Sequence, residues 1–158
     1  MGTWGQASVV SDGEPRVSPV ELYSGADTIA LAALLRDSQN LKPETVYYPC
    51  SGADITPVLV FPDSRVVFAD QNSDVVQLLQ ASGYEARLGK VGGILMESVD
   101  LLFLLNPQVS AIHLLSTVKT GGFILCNNYH RTADELKKSS LCQFIQEMGE
   151  LSLFRKTV

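Results

Sequence analysis

The chain has 158 residues, 46% hydrophobic and 18% charged, with a formal net charge of −5 at pH 7. That length supports one domain burying about two-thirds of the surface of its unfolded chain, and the composition excludes a disordered one. The acidic balance argues against a domain built to grip a phosphate backbone, so nucleic acid is not an expected partner, and the basic pairs Lys137–Lys138 and Arg155–Lys156 read as solvated surface charge. Cys50, Cys126 and Cys142 are odd in number, widely spaced and without a CxxC pair. That usage predicts a reduced, cytoplasmic protein rather than a disulfide scaffold or a zinc site, and no metal-ligand spacing occurs. No apolar run approaches the ~20 residues a membrane span needs, and the start of the chain has no basic segment followed by an apolar core.

Residues 1–19 carry Gly, Ser, Pro and Asp without periodicity and read as a flexible or covering arm, with Trp4 the one sign of docking; residues 20–158 form a single domain. A helix is expected from Ser24 or Asp27 to about Ser38, with an apolar stripe of Ile29, Leu31, Ala32, Leu34 and Leu35. Strand one follows at Thr45–Tyr48, a short helix at Thr56–Val60 stopped by Pro62, and strand two at Arg65–Ala69. Asp70 or Ser73 opens a helix over Asp74–Ala81, which Gly83 closes. Strand three is expected at Tyr84–Leu88, and Gly89, Gly92 and Gly93 mark a loop. Strand four, VDLLFLLN at Val99–Asn106, is a near-continuous apolar run suited to a parallel strand covered on both faces, and Pro107 ends it. A helix is predicted over Gln108–Val118, containing a structural His113, then a sharp turn at Thr120–Gly122 and strand five at Phe123–Asn128. The pattern of Leu136, Leu141, Phe144, Ile145 and Met148 predicts a helix over Ala133–Met148, and Leu151–Val158 reads as a final edge strand.

Alternating strands and helices at this spacing predict an α/β three-layer sandwich with a mostly parallel, Rossmann-like sheet. Ligands in such sheets bind beyond the carboxyl ends of the strands, where the strand order reverses. The stretch from Glu44 to Asp70 fits a nucleotide-type cofactor: strand, glycine turn at Gly52, short helix, strand, then Asp70. Gly52 lets the ligand approach backbone N–H groups, and a carboxylate one strand over can accept both ribose hydroxyls. Asp70 could equally cap the helix after it, and Asp54 reads better as a cap for the helix after the turn. A carboxylate at Asp54 repels phosphate, which disfavours a dinucleotide in this turn and is no obstacle to a positively charged sulfonium.

Tyr48-Pro49-Cys50-Ser51-Gly52-Ala53-Asp54, Asp70, and the order VDLLFLLNP then KTGGFILCNN resemble the Rossmann-like domain of class I S-adenosylmethionine-dependent methyltransferases. The resemblance runs from about Glu44 to the end of the chain. In that family strand one ends in an acidic residue followed by GxGxG; here Tyr48 stands in place of the acid, Cys50 and Asp54 in place of two glycines, and only Gly52 matches. Asp70 matches the family's ribose acid, whereas Arg87-Leu88-Gly89-Lys90 lacks the usual adenine partner. Asn106-Pro107 matches the start of [D/N]PP[Y/F], which holds a target nitrogen, but Gln108-Val109 follows instead of the second proline and the aromatic.

The resemblance implies S-adenosylmethionine as cofactor, with Tyr48, Pro49, Cys50, Ser51 and Gly52 at its methionine end, Asp70 at its ribose, and Gln71 a further cofactor-binding residue. It places the acceptor among Asn106, Asn127, Asn128, Tyr129 and His130, with Asn106 and His130 the candidates for catalysis. Cys50 beside a helix start could acidify, although a small buried side chain explains it as well. The function implied is a methyltransferase of undetermined acceptor. The alternative is a non-catalytic Rossmann-like scaffold or ligand-binding domain descended from methyltransferases, since the glycine turn is degraded; a nicotinamide-dependent enzyme fits the lone glycine least. Self-association is left open by the sequence.

Overall fold

The structure is a computed structural model that describes residues 20–90 and 98–158. The expected N-terminal arm with Trp4, and Gly92 and Gly93, lie outside the described residues. Seven strands form one sheet in the order β3-β2-β1-β4-β5-β7-β6. They are β1 (Thr45–Pro49), β2 (Arg65–Asp70), β3 (Glu85–Leu88), β4 (Val99–Leu104), β5 (Val118–Cys126), β6 (Cys142–Met148) and β7 (Leu151–Lys156). The first five are parallel, and β7 runs antiparallel to both β5 and β6. The mostly parallel α/β sandwich expected from the sequence is therefore present.

Period-two side chains divide the sheet into two cores. Val46, Tyr48, Phe68, Leu101 and Phe103 face α1 (Ala26–Ser38) and α3 (Ser73–Ala81), where Ala32, Leu35, Val76 and Leu79 close the layer. Tyr47, Val67, Leu102, Leu104 and Ile124 face the other way, toward a 3₁₀ helix (Ala111–Thr117) and α4 (Thr132–Lys137). The short α2 (Thr56–Val60) carries the chain from the β1 turn back to β2. Among the described residues no helix is long and apolar enough to cross a membrane.

Several sequence-based expectations are corrected. The long helix over Ala133–Met148 is instead α4 followed by β6. A hairpin wins because Gly149, at φ +58°, and Glu150 form a two-residue turn between the paired Met148 and Leu151, and the hairpin buries Leu151, Leu153 and Phe154 completely. For the same reason the terminal strand β7 is interior, between β5 and β6, and β6 takes the edge. Thr120–Gly122 is not a turn before strand five but an irregularity within β5, where pairing jumps from Val99–Val118 to Leu101–Phe123. The segment after Pro107 winds as a 3₁₀ helix, its first N–H, at Ala111, held by Glu135 Oε1 at 2.8 Å, and His113 sits exposed on it rather than in a core. Lys156 is likewise no solvated charge, since its Nζ donates to the carbonyls of Leu115 and Val118, each at 2.8 Å.

Candidate functional site

Strand order reverses between β1 and β4, and a cavity of about 660 Å³ opens there at the carboxyl ends of the strands. The turn after β1 forms its floor with Cys50, Ser51 and Gly52, with Tyr48 and Asp54 behind. Asp70 and Gln71 come from the end of β2, and Asn106, Gln108 and Val109 from the segment after β4. Tyr23 and Lys90 complete the wall.

Tertiary hydrogen bonds hold this turn. Ser51 N–H donates to Ala69 O at 3.2 Å, tying the turn to β2. Gly52 has φ +57° and donates its N–H to Asp70 Oδ2 at 2.8 Å. Asp70 Oδ1 accepts the N–H of Asn72 at 2.9 Å. The cap of α3 is not Asp70 or Ser73 but Asn72, whose Oδ1 accepts the N–H groups of Asp74 and Val75. Asp70 is thereby left facing the turn. Each of its oxygens already accepts one backbone N–H and retains a further acceptor site. Cys50 has φ +54°, a conformation glycine adopts without strain and a cysteine at a cost of about 1 kcal/mol. Burial pushes its thiol above the usual cysteine range, opposed by the N–H of Gln108, which gives no support to a thiolate nucleophile.

Asp54 is buried, its Oδ2 accepting the Tyr48 hydroxyl at 2.7 Å and its Oδ1 the N–H and hydroxyl of Thr56 at 3.1 and 2.6 Å. The N-cap position of α2 is Ile55 rather than Asp54, but Asp54 accepts the N–H of Thr56, the first residue of that helix. The segment before α1 pairs alongside: Tyr23 N–H donates to Ala53 O at 3.0 Å and Ile55 N–H to Tyr23 O at 2.8 Å. A methyl group on Gly52 would come within 3.0 Å of Tyr23 Oη. Burial, then the negative charges of Asp54 and Asp70, raise the Tyr23 phenol above its ordinary range. The cavity is thus electron-rich and aromatic around a glycine turn. Carboxylates and ring faces favour a cationic or hydroxyl-bearing ligand over a phosphate chain.

A second depression of about 530 Å³ shares Asn106, Gln108 and Val109 with the first and adds Ser110, His130 and Glu135. In it His130 Nε2 hydrogen-bonds Asn106 Oδ1, joining the end of β4 to the loop after β5. With Nε2 as donor, Nδ1 keeps a lone pair. Among the described residues no group of three or more His, Cys, Asp or Glu is placed to hold a metal ion.

No protein-family model and no curated protein matches the chain. Solved structures do match. A methyltransferase from Geobacter sulfurreducens has a TM-score of 0.60 at 19% identity, over 84% of this chain and 80% of that one. The N-methyltransferase NodS from Bradyrhizobium japonicum WM9, solved with S-adenosyl-L-homocysteine, has a TM-score of 0.65 at 9% identity, over 82% and 86%. The chain has the class I methyltransferase-like Rossmann fold.

This methyltransferase-like fold gathers most residues that the sequence singled out. Tyr48, Cys50, Ser51, Gly52, Asp70, Gln71 and Asn106 line the first cavity, and Asn106 and His130 meet in the second. Pro49 is buried within β1 and is not on the cavity wall. Asn127, Asn128 and Tyr129 line a separate depression. There Asn127 Oδ1 accepts Tyr129 N–H at 3.2 Å and Asn128 Oδ1 accepts Asp134 N–H at 3.1 Å, so the two amides shape the loop and steady α4. Tyr129 is 75% exposed, its ring edge against His130 with centroids 4.6 Å apart. Sequence reasoning missed Tyr23, Lys90, Gln108 and Val109 as cavity residues. Tyr23 carries no local signal, because it reaches the turn only through the bridge to Asp54.

Proposed function

We propose that the protein is an S-adenosylmethionine-dependent methyltransferase whose acceptor binds beside Asn106 and His130. The observation that carries this reading is the cavity at the strand-order reversal, where Asp70 and the Gly52 turn meet in a methyltransferase-like fold. When bound, S-adenosylmethionine supplies a methyl group on a sulfonium sulfur, open to in-line attack. Asp70 would hold the ribose hydroxyls, and the Tyr48–Gly52 turn the methionine end. The Asn106 amide orients an acceptor at the mouth shared by the two depressions, and His130 Nδ1 takes up the proton the acceptor loses. The NodS complex with S-adenosyl-L-homocysteine supports the cofactor class and leaves the acceptor undetermined.

The test is calorimetric titration with S-adenosylmethionine and S-adenosylhomocysteine. Micromolar binding, weakened by ~1–3 kcal/mol in Asp70→Ala, is expected from loss of charge-assisted hydrogen bonds. One observation favours the scaffold reading: both Asp70 oxygens already accept backbone N–H groups, so a ribose must share them. No binding of either compound up to millimolar concentration would select that reading and turn the search to protein partners.

A further inference from the structure

The cavity wall contains a buried carboxylate that forms no ion pair among the described residues, Lys90 on the same wall included. Asp54 is 6% exposed. Its three hydrogen-bond donors, the Tyr48 hydroxyl and the N–H and hydroxyl of Thr56, are all neutral. Among the described residues no lysine, arginine or histidine forms an ion pair with it. Carboxylates taken out of water are ordinarily paired with a cation, because neutral donors offset only part of the desolvation cost. Asp54 nevertheless lines the cavity together with Tyr23 and Tyr48, where a low local dielectric strengthens any charge pair that forms.

The chain also places its two cavity acids asymmetrically. Asp70 stands at the end of β2 and grips the backbone N–H of Gly52. Asp54 lies beyond Gly52 at the start of α2, and the end of β1 carries a tyrosine whose hydroxyl points at that carboxylate. The Tyr48 hydroxyl and Thr56 together make three hydrogen bonds to the two oxygens of Asp54 and hold the carboxylate in place.

We infer that Asp54 binds the α-ammonium group at the amino-acid end of the ligand, from the start of α2 rather than from the end of β1. This rests on the cofactor reading above. The ammonium supplies the missing cation and the carboxylate discriminates for ligands that carry one. Asp54 is then a specificity-determining residue, and it sorts adenosine thioethers by whether they bear an amino-acid tail.

The test compares three ligands by calorimetry. S-adenosylhomocysteine carries the ammonium on a ligand whose sulfur is uncharged. Its analogue without the α-amino group differs only there. 5′-Methylthioadenosine lacks the whole tail and keeps the ribose and base. Wild-type protein should bind S-adenosylhomocysteine about 10- to 100-fold more tightly than the deaminated analogue, the range of a charge-assisted hydrogen bond. Asp54→Asn should erase that preference while leaving 5′-methylthioadenosine affinity within about twofold, which also shows that the variant is folded. Equal wild-type affinities for S-adenosylhomocysteine and its deaminated analogue would overturn the inference without any variant. So would a preference that survives in Asp54→Asn, and either result leaves the cofactor reading standing. Wild-type protein that binds none of the three overturns the cofactor reading and the inference with it.

Discussion

Tyr47 and Tyr48 are adjacent on β1 and point to opposite faces of the sheet, so the same substitution at each should have opposite effects. Both rings are buried, at 0% and 2% exposure. The Tyr48 hydroxyl donates to Asp54 Oδ2 at 2.7 Å. Tyr48→Phe keeps the ring, with its edge-on contact to Phe103 at 5.0 Å, and removes only that donor. A hydrogen bond to a buried charge contributes about 1.5–3 kcal/mol. For a domain of this size each kcal/mol moves Tm by about 2–4 °C. Tyr48→Phe should therefore melt about 3–12 °C below wild type. The Tyr47 hydroxyl has no hydrogen-bond partner among the described residues, and burial, then the nearby Cys50 thiol, pushes its phenol up to about 12. Tyr47→Phe removes an unsatisfied polar group, so Tm should be unchanged or higher, by up to about 1 kcal/mol in stability. Thermal melts by circular dichroism, backed by urea titration, read both variants. Equal losses, or a larger loss at Tyr47, would refute the assignment of hydroxyl partners.

Gly122→Ala should lower stability by about 2 kcal/mol or more, because a methyl group there would lie 2.7 Å from Val118 Cγ1 and 2.9 Å from the carbonyls of Asp100 and Lys119; a urea midpoint like that of wild type would contradict this packing. Gly52→Ala should destabilise by about 1–2 kcal/mol through its φ of +57° and the Tyr23 hydroxyl at 3.0 Å, and adding Tyr23→Phe should recover part of the loss, as a double-mutant cycle would report. His130→Ala should lower turnover of a methyl acceptor by about 10²-fold or more while cofactor affinity, measured separately, stays within about twofold; equal losses in both would remove His130 from proton transfer. The Arg65 guanidinium, bidentate on Glu85 at 2.8 and 2.7 Å, holds the Glu85 carboxyl below the usual glutamate range. A depressed carboxyl contributes stability above its unfolded value and loses it as pH falls through the folded one. The gap between wild type and Arg65→Met, at most about 1 kcal/mol for so exposed a pair, should therefore be full at pH 7 and close below about pH 4 in urea titrations.

The sequence by itself determined the parallel half of the sheet and the floor of the site. The runs at Thr45–Pro49, Arg65–Asp70 and Val99–Leu104 are β-rich and bounded by glycine, proline or aspartate, and buried parallel strands carry that local composition. Gly52 and Asp70 were legible for the same reason, since a turn that needs a positive φ and a carboxylate at a strand end both leave marks in the chain. What came next was decided by tertiary structure. Phe144, Ile145 and Met148 satisfy a helical period, yet they lie in an edge strand, because the hairpin through Gly149 completes the sheet against β5. The partner of His130 is Asn106, 24 residues away, and Tyr23 meets the Gly52 turn across a strand bridge. Asp54 read locally as a helix cap, and it does accept the N–H of Thr56, although Ile55 holds the cap position; that it is also a buried carboxylate with no ion pair among the described residues depends on which side chains surround it, and only the folded chain fixes those.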